Sequence, residues 1–220
     1  MGRAYKIHLT IGDVNRDMLR FMEDMRVDSA KIIRFAMNDT LMRTRSNAIK
    51  YASRRYNLRV KSVVDLKSYI KLDLSEKSKL YGSVEFRGDV GYPLERFGTN
   101  PRVYKSYKGV HPLKRRPAGG VRVKILRNGP WKKVGEYTDG GSAFWYLHKG
   151  KERLLVRDYT QPGLNGHYKS AVIHPMGPSP IQALTSKEGE EFVGDYARAT
   201  FAKRLEHALD RFMKTGKLKG

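Results

Sequence analysis

The sequence has no cysteine among its 220 residues. This absence excludes disulfide bonds, cysteine-ligated zinc, iron–sulfur clusters and thiol nucleophiles. No apolar run approaches the length of about 18 residues that a membrane span requires, and residues 1–10 are too polar for a secretory signal. We therefore expect a soluble chain that is made inside the cell and has no membrane partner.

Motifs for catalysis are also missing. There is no Gly-x-x-x-x-Gly-Lys phosphate loop and no Gly-x-Ser-x-Gly nucleophile turn. His167 and His174 flank a loop of the kind that a basic nuclease could use, but a nuclease also needs converging carboxylates for its metal. Asp158 is the only acidic residue between Glu152 and Glu188. We expect no catalytic residues, no metal and no cofactor, so the chain is not predicted to be an enzyme.

Positive charge is in large excess, with 44 Lys and Arg against 22 Asp and Glu, a formal net charge of +22. Half of it lies in residues 101–133, which hold 11 basic residues and no acidic one. Proline and glycine predict an extended basic loop or arm over 99–120. We expect contact with nucleic acid or with an acidic protein partner. The expected contact residues are Arg102, Lys105, Lys108, Lys114, Arg115, Arg116, Arg122 and Lys124, with Arg43, Arg45, Arg54 and Arg55 from a basic helix.

Periodicity predicts three helices. An N-terminal segment, 1–27, combines a strand over Tyr5–Ile11 with a short helix from Val14 to about Arg26. A longer helix begins at Asp28 or Ser29 and ends near Asn57, with a basic outer side that contacts DNA or a partner or is merely solvated. Its predicted apolar face is Ile33, Met37, Leu41, Thr44, Ala48, Ala52 and Tyr56.

The last predicted helix is capped by Ser186 and reaches about Lys214. Acidic residues in its first turn and basic residues in its last suit the helix dipole. Its predicted apolar stripe is Phe192, Val193, Tyr196, Ala199, Thr200, Lys203, Leu205, Leu209 and Phe212.

Between the helices the apolar period changes to two, which is typical of strands. Residues 70–74 and 80–86 predict a β-hairpin. Further strands are predicted around 121–125, 133–137, 143–147 and 154–157, which gives an antiparallel meander of five or six strands. The expected fold is therefore α+β, with the long N-terminal helix and the C-terminal helix packed on one face of an antiparallel β-sheet, in a single domain over 1–220.

Several motifs between residues 30 and 213 follow one another in the order of one known family. They are Ala36–Arg45 with its Ala-x-Asn-x-Thr and Arg-Thr patterns, Arg55–Leu58, Pro93-Leu94 with Phe97, the basic strand Val121–Lys124, Ala143-Phe144, Gly177–Pro180, and Leu205–Arg211 with its Glu-His pair. In this order and spacing the chain resembles the minor tail protein Z family, the tail completion proteins of long-tailed phages with lambda-type tails.

The resemblance implies a non-enzymatic virion protein, made in the cytoplasm of the bacterial host, at the head-proximal end of the tail. Such proteins complete the tail, join it to the head and help to position the end of the packaged DNA. The implied partners are tail terminator or tail tube subunits, head–tail connector or portal-side proteins, packaged double-stranded DNA and further copies in a ring, a hexamer by analogy with the tail tube. The alternative is a free, sequence-nonspecific nucleic-acid-binding protein.

Overall fold

The computed structural model describes residues 5–10, 16–17, 19–20, 29–59, 63, 66–76, 80–87, 91–102, 120–135, 143–148, 151–158 and 171–216, with backbone only at 147, 148 and 158. Its long helices are α1 (Ser29–Arg55) and α2 (Lys187–Thr215). The strands are β1 (Tyr5–Thr10), β2 (Ile70–Asp73), β3 (Tyr81–Phe86), β4 (Tyr92–Pro93), β5 (Gly98–Asn100), β6 (Arg122–Lys124), β7 (Lys132–Lys133), β8 (Phe144–His148), β9 (Lys151–Asp158), β10 (Ala171–Ile173) and β11 (Met176–Gly177). The α+β class is confirmed.

The chain divides into two compact units. The first unit comprises Met1–Ala52, Asp65–Asp89 and Ile181–Gly220, and the second comprises Ser53–Val64 and Val90–Pro180. Neither unit is made from one continuous stretch of chain. The single domain expected over 1–220 stays a prediction.

The first unit contains an antiparallel three-stranded sheet in the order β1-β3-β2. The predicted hairpin is confirmed, with Ile70 of β2 opposite Phe86 of β3. Tyr5 of β1 lies opposite the same Phe86 from the other side, so β3 is the central strand. Val84 and Phe86 are completely buried, as expected for a central strand that is covered on one face.

Helix α1 is amphipathic, as predicted, and it ends at Arg55, two residues before the predicted end. Gly82 of β3 allows its close approach, because a Cβ atom there would lie 2.5 Å from the Leu41 side chain. Asn38 fastens the helix to the chain after β2, since its amide donates to the Ser75 carbonyl at 3.0 Å and accepts from the Ser75 N–H at 2.8 Å. The buried side chains of α1 are Ile32, Ile33, Ala36, Met37, Thr40, Leu41, Thr44, Ala48, Ile49 and Ala52.

Helix α2 has the predicted boundaries. The Ser186 hydroxyl accepts from the Gly189 N–H at 3.2 Å and caps the first turn. The helix ends at Gly216, whose φ of 64° is the left-handed conformation that favours glycine. Of the shorter N-terminal helix predicted from Val14, the described residues 16–17 and 19–20 are helical.

The predicted apolar stripe of α2 is partly wrong. Phe192, Ala199 and Lys203 are exposed. The prediction favoured large side chains, whereas the buried face advances in steps of four residues and includes small side chains that permit close packing. Its buried residues are Gly189, Val193, Ala197, Phe201, Leu205, Ala208 and Leu209.

The strands described in the second unit form three small sheets, in the orders β5-β6-β7, β10-β9-β8 and β11-β4. The continuous meander predicted from the sequence is therefore wrong, although its individual hairpins form. The strand predicted around 133–137 is limited to β7 among the described residues, and 136–142 lie outside them. Alternation of apolar and polar residues specifies which face of a strand is buried, but not which edges meet.

The chain after α1 is an extended segment of the second unit and is hydrogen-bonded on both sides. The Asn57 N–H donates to the Ile125 carbonyl at 2.8 Å, and the Asn57 carbonyl accepts from the Gly98 N–H at 2.8 Å. The Arg59 N–H donates to the Arg96 carbonyl at 3.0 Å. These bonds place residues 57–59 beside β5 and beside the end of β6.

Candidate nucleic-acid interface

The sheet β5-β6-β7 carries cations on its outer face. Val123 of β6 lies opposite Thr99, and both side chains are buried. Because side chains alternate along a strand, the neighbours Arg122 and Lys124 lie on the opposite, outer face. Lys133 of β7 is directly opposite Arg122, and both are exposed. We refer to Arg122, Lys124 and Lys133 as the outer cationic face.

Nothing acidic in the neighbouring sequence compensates this face, because residues 101–133 contain no Asp or Glu. In the described part of the chain, none of its three cations forms an ion pair. Like charges directly opposite each other on neighbouring strands destabilise a sheet by up to about 1 kcal/mol. A phosphate or carboxylate bound across Arg122 and Lys133 would relieve that repulsion.

The first residues of the arm predicted over 99–120 belong to this same sheet. Residues 103–119 lie outside the described residues, so the arm itself stays a prediction. Thr99 and Asn100 belong to β5, so the loop prediction is wrong at these two residues, and Asn100 lies opposite Arg122. Arg102 lies two residues beyond the end of β5 and is exposed. Lys105, Lys108, Lys114, Arg115 and Arg116 lie outside the described residues, so their contact with a polyanion stays a prediction.

Two of the predicted helix cations are engaged within the first unit. The Arg43 Nε donates to both carboxylate oxygens of Asp39, at 3.1 and 3.0 Å. Asp39 also forms an ion pair with Arg204 of α2 at 3.0 Å. Arg45 donates through Nη2 to the Lys67 carbonyl at 2.8 Å. These contacts lie within the first unit and give both arginines a structural role.

The other two helix cations, Arg54 and Arg55, are exposed and belong to the second unit. The Arg55 carbonyl accepts from the Arg127 N–H at 3.0 Å, which places the end of α1 beside the turn after β6. The next residue, Tyr56, is buried. Burial raises the pKa of its hydroxyl, and the positive charge of Arg55 partly opposes that shift.

Other arginines of the second unit lie against aromatic rings. Cation–π contacts of this kind contribute about 0.5–2 kcal/mol, more when the cation is desolvated. These arginine side chains are therefore held in place by the fold. Aromatic rings, together with the few carboxylates, are the groups that contact their positive charges. The pairs are Arg59 with Trp145, Arg96 with Tyr92 and Arg157 with Phe144, each 5.7–5.8 Å from guanidinium carbon to ring centre.

A buried carboxylate in the second unit was not anticipated from the sequence. Glu95 has a side chain only 6% exposed and accepts from the His174 Nε2 at 2.8 and 2.9 Å, with the Arg153 guanidinium 3.5 Å away. From the sequence, His174 was singled out only together with His167. Because 79 residues separate Glu95 from His174, their spacing in the sequence could not predict that the two side chains meet. No cluster of three or more metal-ligating side chains occurs among the described residues.

An open cleft of about 650 Å³ adjoins β5 in the same unit. It combines two arginines, two asparagines and an indole ring, and no acidic side chain belongs to its described lining. The lining residues are Asn57, Leu58, Arg59, Gly98, Thr99, Asn100, Arg102 and Trp131.

The described helices are too polar to cross a bilayer. No family model, curated protein or solved structure matches this chain at a significant level.

Proposed function

We propose that this chain is a structural phage virion protein at the head-proximal end of the tail, where it completes the tail, joins it to the head and helps to position the end of the packaged DNA. The resemblance of its ordered motifs to the minor tail protein Z family supports the location. The outer cationic face supports contact with a polyanion.

The outer cationic face is the observation that carries the proposal. Arg122 and Lys133 are exposed, directly opposite each other, and lie in a segment with no acidic residue. Such a surface is stabilised when phosphates neutralise it, and phosphate contact is independent of base sequence. Packaged double-stranded DNA and the acidic surface of a neighbouring neck or tube subunit both fit this chemistry.

A ring of copies is the expected assembly, because tails have rotational symmetry and cyclic closure uses head-to-tail interfaces. Each copy carries a formal charge of +22. Several such copies in a ring repel one another unless DNA or acidic neighbours neutralise them. Six copies are expected by analogy with the tail tube.

Electron cryomicroscopy of assembled particles tests the location. We expect density for this fold in a symmetric ring at the head–tail joint. Absence of the chain from the particles would overturn the proposal and favour a free, sequence-nonspecific nucleic-acid-binding protein.

Salt-dependent binding to duplex DNA tests the cationic face separately. The double variant Arg122→Ala/Lys124→Ala should make the slope of log K against log salt shallower by about 1.8, because each phosphate contact contributes about 0.9. The matched control is Lys50→Ala/Lys203→Ala, which removes two exposed charges from the helices. Equal slopes for the two double variants would show that the face does not contact DNA.

A further inference from the structure

The cleft beside β5 contains one cation that is fixed by the fold. Arg59 donates through Nε to the Phe97 carbonyl at 3.2 Å and through Nη2 to the Thr99 hydroxyl at 2.6 Å. Its Nη1 donates to Glu152 at 3.3 Å, and its guanidinium lies over the Trp145 ring. Three of its five N–H groups are used in these bonds. The others can donate to a ligand, and Arg59 needs no reordering to do so.

The second cation, Arg102, supplies the net charge of the cleft. The charge of Arg59 is compensated by Glu152, whereas Arg102 is exposed and lies two residues beyond the end of β5. A guanidinium binds a phosphate with two parallel hydrogen bonds. The cleft therefore combines the preorganised hydrogen-bond donor Arg59 with the exposed positive charge of Arg102. A single phosphate can neutralise that charge.

An indole ring and two amides complete the site. Trp131 is 45% exposed although it is the largest type of apolar side chain, and a nucleic-acid base stacks readily on such a ring. Asn57 and Asn100 offer amide donors and acceptors of the kind that read base edges. Gly98 leaves room for the Asn57 amide, because a Cβ atom at that position would collide with the amide and displace it.

We propose that this cleft binds one unpaired nucleotide of a nucleic-acid strand, with the phosphate on Arg102 and Arg59 and the base on Trp131. A free nucleotide and a nucleotide within a strand both offer a planar base joined to a phosphate. Of these two, the occupant we assign is a nucleotide within a single strand. A base inside a duplex is already stacked on both sides and is not available to Trp131. The site thus adds recognition of unpaired nucleotides to the duplex contact proposed above, and it rests on the proposal that the protein meets nucleic acid.

Tryptophan fluorescence provides the assay. The chain has two tryptophans, Trp131 at 45% and Trp145 at 1% exposure, so the solvent-exposed emission comes from Trp131. We expect a twelve-residue oligothymidylate to quench that emission. Trp131→Ala, followed by anisotropy of a labelled oligonucleotide, should weaken binding about 5- to 150-fold, the range for one stacked base. Trp131→Phe should retain part of the affinity, because a ring remains.

Matched variants distinguish binding in the cleft from nonspecific attraction of the oligonucleotide to the positive charge of the protein. Arg102→Ala should weaken oligothymidylate binding about 5- to 10-fold at 0.1 M salt, the effect of one lost phosphate contact. Arg127→Ala removes the same exposed charge outside the cleft and should change binding less than about 2-fold. Tyr146→Ala, an exposed aromatic residue outside the cleft, is the control for Trp131→Ala. If each cleft variant behaves like its control, the inference is wrong.

Two further ligands identify the source of the nucleotide. Oligothymidylate that binds more tightly than free thymidine monophosphate supports assignment to a strand, whereas equal affinity overturns that assignment in favour of a free nucleotide. For blunt duplex DNA we expect no effect of Trp131→Ala. If Trp131→Ala weakened binding to blunt duplex DNA as much as binding to oligothymidylate, the inference would be wrong, but the virion proposal would stand. If the chain were absent from the particles, the virion proposal would be wrong, but the oligothymidylate binding measured for the cleft would stand.

Discussion

Replacement of Asn38 by alanine should destabilise the first unit. The Asn38 amide makes two hydrogen bonds to the main chain of Ser75, of 3.0 and 2.8 Å, and Ser75 is buried. Two bonds at about 1 kcal/mol each, with the desolvation cost of main-chain groups that lose a partner, amount to about 2–3 kcal/mol. Asn38→Asp keeps the acceptor but sets an oxygen against the Ser75 carbonyl, so it should still lose at least about 1 kcal/mol.

Urea unfolding followed by circular dichroism at 222 nm measures this loss, because α1 and α2 are the long helices among the described residues. With a denaturant slope of about 2–3 kcal/mol per molar, the Asn38→Ala midpoint should fall by about 1 M. Lys50→Ala, on the exposed side of α1, is the control. Trp131 and Trp145 both belong to the second unit, so their fluorescence reports that unit alone. A midpoint change for Asn38→Ala no larger than that of the control would refute the reasoning.

Three further predictions concern single groups. Glu95→Ala removes the partner of His174 and should lower the free energy of unfolding of the second unit by about 2–4 kcal/mol, measured by tryptophan fluorescence in urea; a loss below about 0.5 kcal/mol would contradict it. Burial raises the pKa of Tyr56 above 10.0, so its stabilising contribution is complete below pH 10 and is lost as pH rises through the raised pKa. The absorbance at 295 nm of wild type minus that of Tyr56→Phe, followed against pH, should change with a midpoint above pH 10.0. A midpoint at or below pH 10.0 refutes the prediction. The hydrogen bond from Arg87 lowers the pKa of Glu85 below 4.5, and its contribution to stability is present above that value and lost as pH falls through the lowered pKa. Arg87→Ala should return the carboxyl pKa towards 4.5, as followed by NMR, and an unchanged value argues against that hydrogen bond.

The candidate surface could be predicted in part. The basic strand was recognisable from the alternation of Val121, Arg122, Val123 and Lys124, and the structure confirms that Val123 is buried and Arg122 exposed. Its partner Lys133 lies nine residues beyond Lys124, and only the pairing of β6 with β7 brings it opposite Arg122. The cleft could not be predicted, because its lining comes from three separate segments of the chain.

The amino-acid sequence by itself determined the helices and the segregation of charge. Helix α1 depends on apolar side chains three and four residues apart, and α2 on the Ser186 cap and on Gly216, all of which are local features. Only the tertiary structure decided that β1 joins the hairpin as the third strand, that the expected meander divides into three sheets, and that Glu95 meets His174. The physical reason is that these contacts join edges and side chains far apart in the chain, where no local energy distinguishes one pairing from another.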